Sequence, residues 1–175
     1  MDLTVYEQQG RYVVAAGDKV VAAVIGRSGL IDADRKREGD GATPRGSWLM
    51  REVLFRPDRI SLPENRLPET RLMATPLSAD DGWCDDPASA SYNRKIKLPF
   101  DASHEKLWRD DHAYDVIIPL GYNDAPVAAG RGSAIFFHCR EDGRDYTEGC
   151  VAISRTAMQN LLPHLTPQSR MIIDP

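Results

Sequence analysis

The chain has 175 residues, which suits one domain, and 42% of them are hydrophobic and 27% charged. This ordinary globular mixture argues against intrinsic disorder, and a net charge of −4 gives no basic footprint for duplex nucleic acid. The longest apolar run, Val20–Ile25, has six residues, whereas a membrane-spanning helix needs about 20, so no transmembrane segment is expected.

The first residues, Met1–Glu7, contain no basic segment followed by an apolar one, so no secretory signal is predicted. We therefore expect a cytoplasmic protein, with a periplasmic location as the alternative if the chain is a truncated form.

The amino-terminal third favours β-structure. Arg11–Ala16 and Lys19–Ile25 are rich in β-branched residues and alanine, and Gly17-Asp18 between them suits a two-residue hairpin turn. A third strand is predicted over Ser47–Phe55, after a turn-rich stretch. The following region, Arg56–Pro99, has several prolines and little periodicity, and loops of this length in compact domains are usually functional or disordered. We interpret this region as an ordered long loop whose residues help to form a functional site.

The carboxy-terminal half predicts more strands and one or two short helices. Ser103 could cap a helix through Trp108, and two buried strands are predicted over Tyr114–Pro119 and Ser133–Cys139. A brief strand or turn, Val151–Ile153, comes next.

Ser154 is placed to cap a second helix, whose apolar face consists of Met158, Leu161, Leu162 and Leu165. Arg170–Ile173 is the last predicted strand. The whole chain, residues 1–175, is therefore predicted to be a single, mainly β (β-rich α+β) domain.

The densest group of reactive side chains lies near the end of the predicted strand that ends at Cys139. His138 is followed by a polar loop and then by Thr147-Glu148-Gly149-Cys150, which places a cysteine directly after a glycine. A free thiol with a pKa of about 8.5 is mostly protonated at neutral pH, and a nearby imidazole can take its proton. The spacing alone leaves open a core histidine beside a structural cysteine. The odd number of cysteines, Cys84, Cys139 and Cys150, argues for free thiols rather than a disulfide framework.

The stretch from His138 to Val151 resembles the active-site signature of the L,D-transpeptidase (YkuD-type) catalytic domain, a histidine followed by Ser/Thr-x-Gly-Cys and a hydrophobic residue. Other blocks in the same order are similar to one bacterial branch of that family, and together they cover most of the chain from about Gly26. These blocks are Glu38–Gly46, Gly82–Pro87, Tyr92–Arg94 and Gly132–His138.

The resemblance implies an L,D-transpeptidase-like β-sandwich or barrel and a cysteine acyl transfer. Cys150 would attack the carbonyl at the L-centre of a diamino acid, usually meso-diaminopimelate, in a peptidoglycan tetrapeptide, and D-Ala would leave. His138 would activate the thiol, and the backbone carbonyl of Cys139, where glycine is more usual, would orient its ring. Main-chain N–H groups around Gly149 and Cys150 would form the oxyanion hole, with Thr147 at the Ser/Thr position beside it. This chemistry needs no cofactor.

The chain departs from the family pattern at two positions. Glu148 replaces the common histidine before the Gly-Cys pair, and Ala152 replaces an arginine often found two residues after the nucleophile. Because that arginine is commonly linked with the substrate's environment, the resemblance specifies the reaction type more closely than the substrate.

The expected substrate is a peptidoglycan stem peptide or muropeptide, which carries both carboxylate and ammonium groups. Charged and amide side chains suit such a zwitterion, and the candidates for binding it are Asp85, Asp86, Tyr92, Asn93 and Arg94, together with Thr147 beside the expected oxyanion hole. In the alternative, Asp85 and Asn93 only satisfy loop backbone groups.

Three other classes of site receive less support. A zinc site is disfavoured because no C-x-x-C or H-E-x-x-H spacing occurs and because adjacent His138 and Cys139 would face opposite sides of a strand, so no metal is expected. Pro44 stands where a dinucleotide-binding loop needs its third glycine, and no G-x-S-x-G elbow of a serine hydrolase occurs. The sequence gives no indication of oligomeric state.

The two remaining enzymatic hypotheses differ in the molecule that accepts the acyl group. Water would make the protein an L,D-carboxypeptidase of peptidoglycan recycling, which we favour because no export signal is predicted. An amine from a neighbouring stem peptide would give 3–3 cross-links. A catalytically silent peptide-binding module is the third hypothesis, and the intact pair of His138 and Cys150 argues against it.

Overall fold

The computed structural model describes residues 1–60, 71–140 and 143–174. Within these residues strands predominate, and the only regular helical segments described are α1 (Arg155–Leu161) and a following 3₁₀ helix (Leu162–His164). The strands are β1 (Leu3–Gln8), β2 (Arg11–Ala16), β3 (Lys19–Val24), β4 (Leu30–Ile31), β5 (Thr43–Pro44), β6 (Gly46–Leu49), β7 (Val53–Phe55), β8 (Ala74–Pro76), β9 (Asp81–Cys84), β10 (Arg94–Lys97), β11 (His104–Lys106), β12 (Val116–Pro119), β13 (Phe136–Cys139), β14 (Val151–Ile153) and β15 (Arg170–Ile173).

Ten of these strands form one curled sheet, in the order β6-β15-β1-β2-β3-β14-β13-β12-β7-β8. β13 and β14 are adjacent and parallel near its middle, while β12 flanks β13 on the other side and is antiparallel to it. A smaller antiparallel sheet has the order β10-β9-β11, and β4 pairs with β5. The predicted mainly β fold is confirmed.

The alternation of side chains along β13 divides the interior into two apolar clusters. Phe137 and Cys139 belong to the main core, where the apolar residues of α1 also pack. Phe136 belongs to a second cluster, which includes Leu107, Tyr114 and Cys150. His138 lies on the same side of the strand as Phe136, which directs its imidazole toward this second cluster.

Most predicted strands are present with bounds close to those expected. β2 and β15 have the predicted ends, and α1 begins after Ser154, whose hydroxyl accepts a hydrogen bond from the N–H of Ala157. The predicted strand Ser47–Phe55 is two strands, because β6 pairs with β15 whereas β7 pairs with β12. β1 was not predicted.

The helix predicted from Ser103 to Trp108 is wrong. His104–Lys106 instead forms β11 and pairs with β9, with Glu105 opposite Trp83. A cap residue such as Ser103 is a local signal, and pairing with a distant strand overrides it here. In the region predicted to be irregular, Arg56–Pro99, the structure contains β8, β9 and β10, while residues 61–70 lie outside the described residues.

Candidate active site

A cavity of about 380 Å³ lies beside the second apolar cluster, and both Cys150 and His138 line it. Its polar walls come from four separate parts of the chain, which are distant in sequence. The titratable residues of the wall are Lys36, Glu38, Asp85, His104, Glu105, Arg109, Tyr114, Arg140, Arg144, Tyr146 and Glu148.

The parallel pairing of β13 with β14 brings the nucleophile and base candidates together. His138 pairs with Ala152, and Cys150 is two residues before Ala152, so both side chains face the same side of the sheet. Neighbouring strands lie about 4.8 Å apart and rise about 3.3 Å per residue, which places the two Cα atoms about 8 Å apart. Side chains at such positions stand on one face of the sheet, and here both line the cavity.

His138 is buried and its ring is fixed from two sides. Nδ1 lies 2.7 Å from the carbonyl oxygen of Cys139 and 3.3 Å from that of Ala113, so this nitrogen carries the hydrogen and donates it. The ring of Tyr114 contacts the imidazole edge to face, with centroids 5.2 Å apart. Burial lowers the pKa of His138 to about 4, so the imidazole is neutral at pH 7 and Nε2 has a free lone pair.

The thiol of Cys150 sits between two backbone groups. The N–H of Phe136 donates to Sγ at 3.3 Å, and the thiol donates to the carbonyl oxygen of Ala134 at 3.2 Å. Burial, together with the negative charge of Glu105, raises the pKa of Cys150 to about 12. The resting pair is therefore a neutral thiol and a neutral imidazole.

The turn before Cys150 has a conformation that favours glycine. Gly149 has a φ of 139°, and a Cβ there would lie 3.0 Å from the carbonyl oxygen of Ala42. The hydroxyl of Thr147 donates to the carbonyl oxygen of Cys150 at 2.7 Å and accepts from the N–H of Gly149 at 3.2 Å. Thr147 thus fixes the backbone on both sides of the glycine, and it also lines the cavity.

Three wall residues were missed by the sequence analysis. The hydroxyl of Tyr114 donates to Glu105, and the guanidinium of Arg109 lies over the ring of Tyr114 and 4.0 Å from the Glu105 carboxylate. Burial raises the pKa of Glu105. The only sequence signal was the charged segment around Glu105, which we had predicted to be helical, and its pairing with β9 is what turns Glu105 toward the cavity.

Of the predicted substrate-binding residues, Asp85 and Thr147 line the cavity. Oδ1 of Asp85 is buried and has no hydrogen-bond partner among the described residues, so the alternative in which it only satisfies loop backbone groups gains no support from this atom. The Asp86 carboxylate accepts from the N–H of Ala88 in a local turn. A guanidinium nitrogen of Arg94 donates to the carbonyl oxygen of Asp124.

Tyr92 and Asn93 are buried and bonded within the protein. Tyr92 donates its hydroxyl hydrogen to Glu38, and the side-chain amide of Asn93 bonds to backbone groups, as the alternative for this residue expects. Direct contact of Asp86, Tyr92, Asn93 and Arg94 with a substrate stays a prediction.

The two departures from the family pattern lie at different depths. Glu148 is exposed at the rim of the cavity and forms a 2.7 Å ion pair with Arg27, whereas Ala152 is buried and lines the cavity wall. The positive charges around the cavity come instead from residues elsewhere, including Lys36 and Arg109.

Cys84, Cys139 and Cys150 are all buried free thiols. Within the described ranges, no group of three or more His, Cys, Asp or Glu side chains is arranged to hold a metal ion. In the same ranges, no helix has the length and apolar character needed to span a bilayer.

Comparison with known proteins gives a family match along nearly the whole chain. A model of the L,D-transpeptidase catalytic domain (YkuD) matches residues 3–173. Among solved structures, Bdellovibrio bacteriovorus Bd1075 is similar at 14% identity with a TM-score of 0.46, over 98% of this chain and 46% of that one. Mycobacterium tuberculosis L,D-transpeptidase 1 is similar at 12% identity with a TM-score of 0.40, over 98% of this chain and 61% of that one. The chain thus spans about half the length of these two proteins. A comparison with curated proteins found no match.

Proposed function

The chain belongs to the L,D-transpeptidase catalytic domain family, and on that premise we propose that it cleaves the bond between the diamino acid and D-Ala in peptidoglycan tetrapeptides. Cys150 is the nucleophile, a thioacyl enzyme is the intermediate, and water is the acceptor that releases the product. The protein is then an L,D-carboxypeptidase acting on muropeptides that contain meso-diaminopimelate.

The observation that carries this proposal is the shared cavity of Cys150 and His138. The hydrogen bond from Nδ1 to the Cys139 carbonyl leaves Nε2 of His138 as the acceptor, on the same side of the sheet as Sγ. A neutral imidazole can take the thiol proton as the sulfur attacks, which is the role a cysteine nucleophile needs from its base.

In the proposed steps, each proton and each leaving group has a stated destination. Nε2 of His138 takes the thiol proton while Sγ bonds to the substrate carbonyl carbon, and the oxygen becomes an oxyanion. Main-chain N–H groups of Gly149 and Cys150 stabilise it, and for Gly149 this means exchanging its bond to the Thr147 hydroxyl. The C–N bond then breaks, and His138 returns the proton to the amine of the departing D-Ala. Water then attacks the thioester carbonyl carbon while His138 accepts one of its protons. The C–S bond breaks, the shortened peptide leaves with a new carboxyl group, and His138 returns the proton to the sulfur, which regenerates the thiol.

The size of the cavity supports water as the acceptor. Ligand pockets commonly range from about 300 to 1,000 Å³, and about 380 Å³ is near the lower end of that range. Such a volume suits the end of one peptide better than a donor and an acceptor peptide together.

A second candidate, 3–3 cross-linking, is favoured by the carboxyl groups in the wall. Asp85 and Glu105 both line the cavity, and Oδ1 of Asp85 is buried without a partner among the described residues. An acceptor ammonium group carries three donors and a positive charge, which this pair of carboxyl groups could receive.

Incubation with a disaccharide tetrapeptide muropeptide, followed by mass spectrometry, distinguishes these functions. Loss of one alanine without dimers supports the carboxypeptidase, whereas a dimer supports cross-linking. No change, beside an active control enzyme, would contradict both and favour a silent binding module. Cys150→Ala should fold and lose turnover, and full activity in that variant would refute the assignment of the nucleophile.

We further propose that the substrates are soluble muropeptides in the cytoplasm, where terminal D-Ala is trimmed during recycling. Fractionation of cells that produce the native protein tests this location. Recovery with cytoplasmic markers is expected, and recovery with periplasmic markers would instead favour work on the wall itself.

A further inference from the structure

The turn Gly132–Ala134 touches the nucleophile directly and contains a strained residue. Ala134 has a φ of 52°, a left-handed conformation that residues with a Cβ adopt rarely. Its carbonyl oxygen accepts the hydrogen of the Cys150 thiol at 3.2 Å. A relaxed conformation at Ala134 would reorient its peptide groups, so this contact depends on whatever maintains the strain.

Asn93 supplies that restraint through a fully bonded side-chain amide. Oδ1 accepts from the N–H of Ala134 at 3.1 Å and from the indole N–H of Trp83 at 3.0 Å. Nδ2 donates to the carbonyl oxygens of Tyr122 at 3.2 Å and Asn123 at 2.8 Å. An asparagine amide has two donors and two acceptor sites, so this buried side chain uses all four.

These bonds connect the two sheets at the site. Trp83 belongs to β9 of the small sheet, whereas Ala134 precedes β13 of the large one. The remainder of the turn is fixed nearby, since the N–H of Gly132 donates to the Tyr92 hydroxyl and the Ser133 hydroxyl donates to Glu38.

We propose that Asn93 is a positioning residue for Cys150, acting through Ala134 rather than through contact with the substrate. Its amide keeps Ala134 left-handed, so that the Ala134 carbonyl receives the thiol hydrogen while the Phe136 N–H faces the sulfur from another direction. The orientation of the nucleophile is thereby set by a residue in the turn that precedes β10 of the small sheet. The inference rests on the proposed function only for the role of Cys150 as the nucleophile.

The two bonds to sulfur have opposite effects on ionisation. A carbonyl that accepts the S–H hydrogen stabilises the neutral thiol, whereas the Phe136 N–H stabilises the thiolate. Loss of the Ala134 contact therefore makes the thiol easier to ionise, but it leaves the sulfur less well oriented for attack on a substrate carbonyl. A variant at Asn93 should combine a lower pKa of Cys150 with slower turnover, a combination that simple loss of stability does not produce.

Alkylation of Cys150 by iodoacetamide, followed by peptide mass spectrometry, measures the first effect without any substrate. Between about pH 7 and 9, well below the pKa of about 12, the alkylation rate is proportional to the small fraction of thiolate. In folded Asn93→Ala we expect this rate to rise about threefold or more at each pH. With a muropeptide, kcat should fall roughly ten- to a hundredfold while KM changes less than about twofold. Asn160→Ala, at an exposed asparagine of α1, is the matched control and should keep the native alkylation rate.

Ala134→Gly provides a rescue that a general structural role would not. Glycine adopts a positive φ without the steric cost, so the turn depends less on Asn93 in that background. Asn93→Ala should therefore accelerate alkylation less in the Ala134→Gly background than in the native one. Circular dichroism and thermal unfolding establish that each variant is folded, and Asn93→Ser, with a smaller expected acceleration, replaces Asn93→Ala if the latter does not fold.

An unchanged alkylation rate in the folded Asn93 variant would overturn the inference, as would equal accelerations in the two backgrounds. The failure of the proposed function is seen separately, because it would leave muropeptides intact with the native enzyme. The alkylation comparison decides the role of Asn93 in either case.

Discussion

Cys150 and His138 are a thiol and a neutral imidazole in the resting protein. Burial raises the pKa of the former to about 12 and lowers that of the latter to about 4, so neither group is charged at pH 7. A preformed thiolate–imidazolium pair would need charges that this apolar setting disfavours. At the residue scale, proton transfer is thus expected to accompany attack on the carbonyl.

The low pKa of His138 predicts that kcat/KM stays high to an unusually low pH. The base must be neutral to accept the thiol proton, so kcat/KM should fall only as pH drops through about 4, rather than near the ordinary histidine value of about 6.5. A pH profile of kcat/KM with a muropeptide checks this. A midpoint between about pH 6 and 7 would show that the imidazole is solvated or paired with an ion in the working enzyme.

Glu105 predicts a change in thiol reactivity. Its negative charge adds to burial in raising the pKa of Cys150, and Glu105→Gln removes the charge while keeping an oxygen that can accept from Tyr114. We expect Cys150 to react several times faster with iodoacetamide near pH 8, because more thiolate is present.

Glu148→Gln is the matched control for that variant. Glu148 also raises the pKa of Cys150, but it is the smallest of the causes, and the residue is exposed at the rim. Equal acceleration in the two variants, or none in Glu105→Gln, would contradict the larger charge effect of Glu105 on the thiol of Cys150.

At the scale of elements, two parallel strands bring His138 and Cys150 to one cavity, and this part of the candidate site could be predicted from the sequence. His138 and Cys150 lie in one short stretch, and strand alternation already places Cys139 on the opposite side from His138. The structure has Cys139 in the main core and its carbonyl on the imidazole.

The part of the cavity wall that contains Glu105 could not be predicted from the sequence in the same way. Glu105 faces the cavity because β11 pairs with β9, and that pairing joins segments about twenty residues apart in sequence. The cap signal at Ser103 is local, whereas the partner strand that overrides it is not visible in any short window. For the same reason, the four bonds of Asn93 could be foreseen only as loop satisfaction in general, not as a link to Ala134.

The cap of α1 predicts a stability change without a catalytic one. Ser154→Ala removes the acceptor for the N–H of Ala157, and such losses cost about 1 kcal/mol. Urea unfolding should show this decrease, while Ser154→Asp, which restores an acceptor, should recover most of it. A large loss of turnover in Ser154→Ala would mean that α1 influences the site, which the packing of Met158 and Leu161 into the main core does not suggest.

At the scale of the whole molecule, the burial of His138 makes the folded protein less stable in acid. His138 binds a proton with a pKa of about 4 in the folded protein and about 6.5 in the unfolded chain, so the unfolded state takes up protons first as pH falls. The neutral imidazole therefore contributes about 3 kcal/mol to the free energy of unfolding above about pH 6.5, and this contribution is lost as pH falls toward 4.

Urea unfolding at about pH 7 and about pH 4.5 measures this loss, with His138→Gln as the control that has no imidazole to titrate. The native protein should lose more stability between the two conditions than the variant does. Equal losses would mean that the imidazole is hydrated in solution and that its pKa is close to the ordinary value.

The most direct test of the account is to trap the acyl enzyme. Native protein mixed with a tetrapeptide muropeptide is quenched in acid during turnover and digested, and its peptides are mapped by mass spectrometry. We expect a muropeptide acyl group, lacking the terminal D-Ala, on the sulfur of Cys150, and none in Cys150→Ala. Release of D-Ala by Cys150→Ala at the native rate, or an acyl group attached at another residue, would contradict the role of Cys150 as the nucleophile.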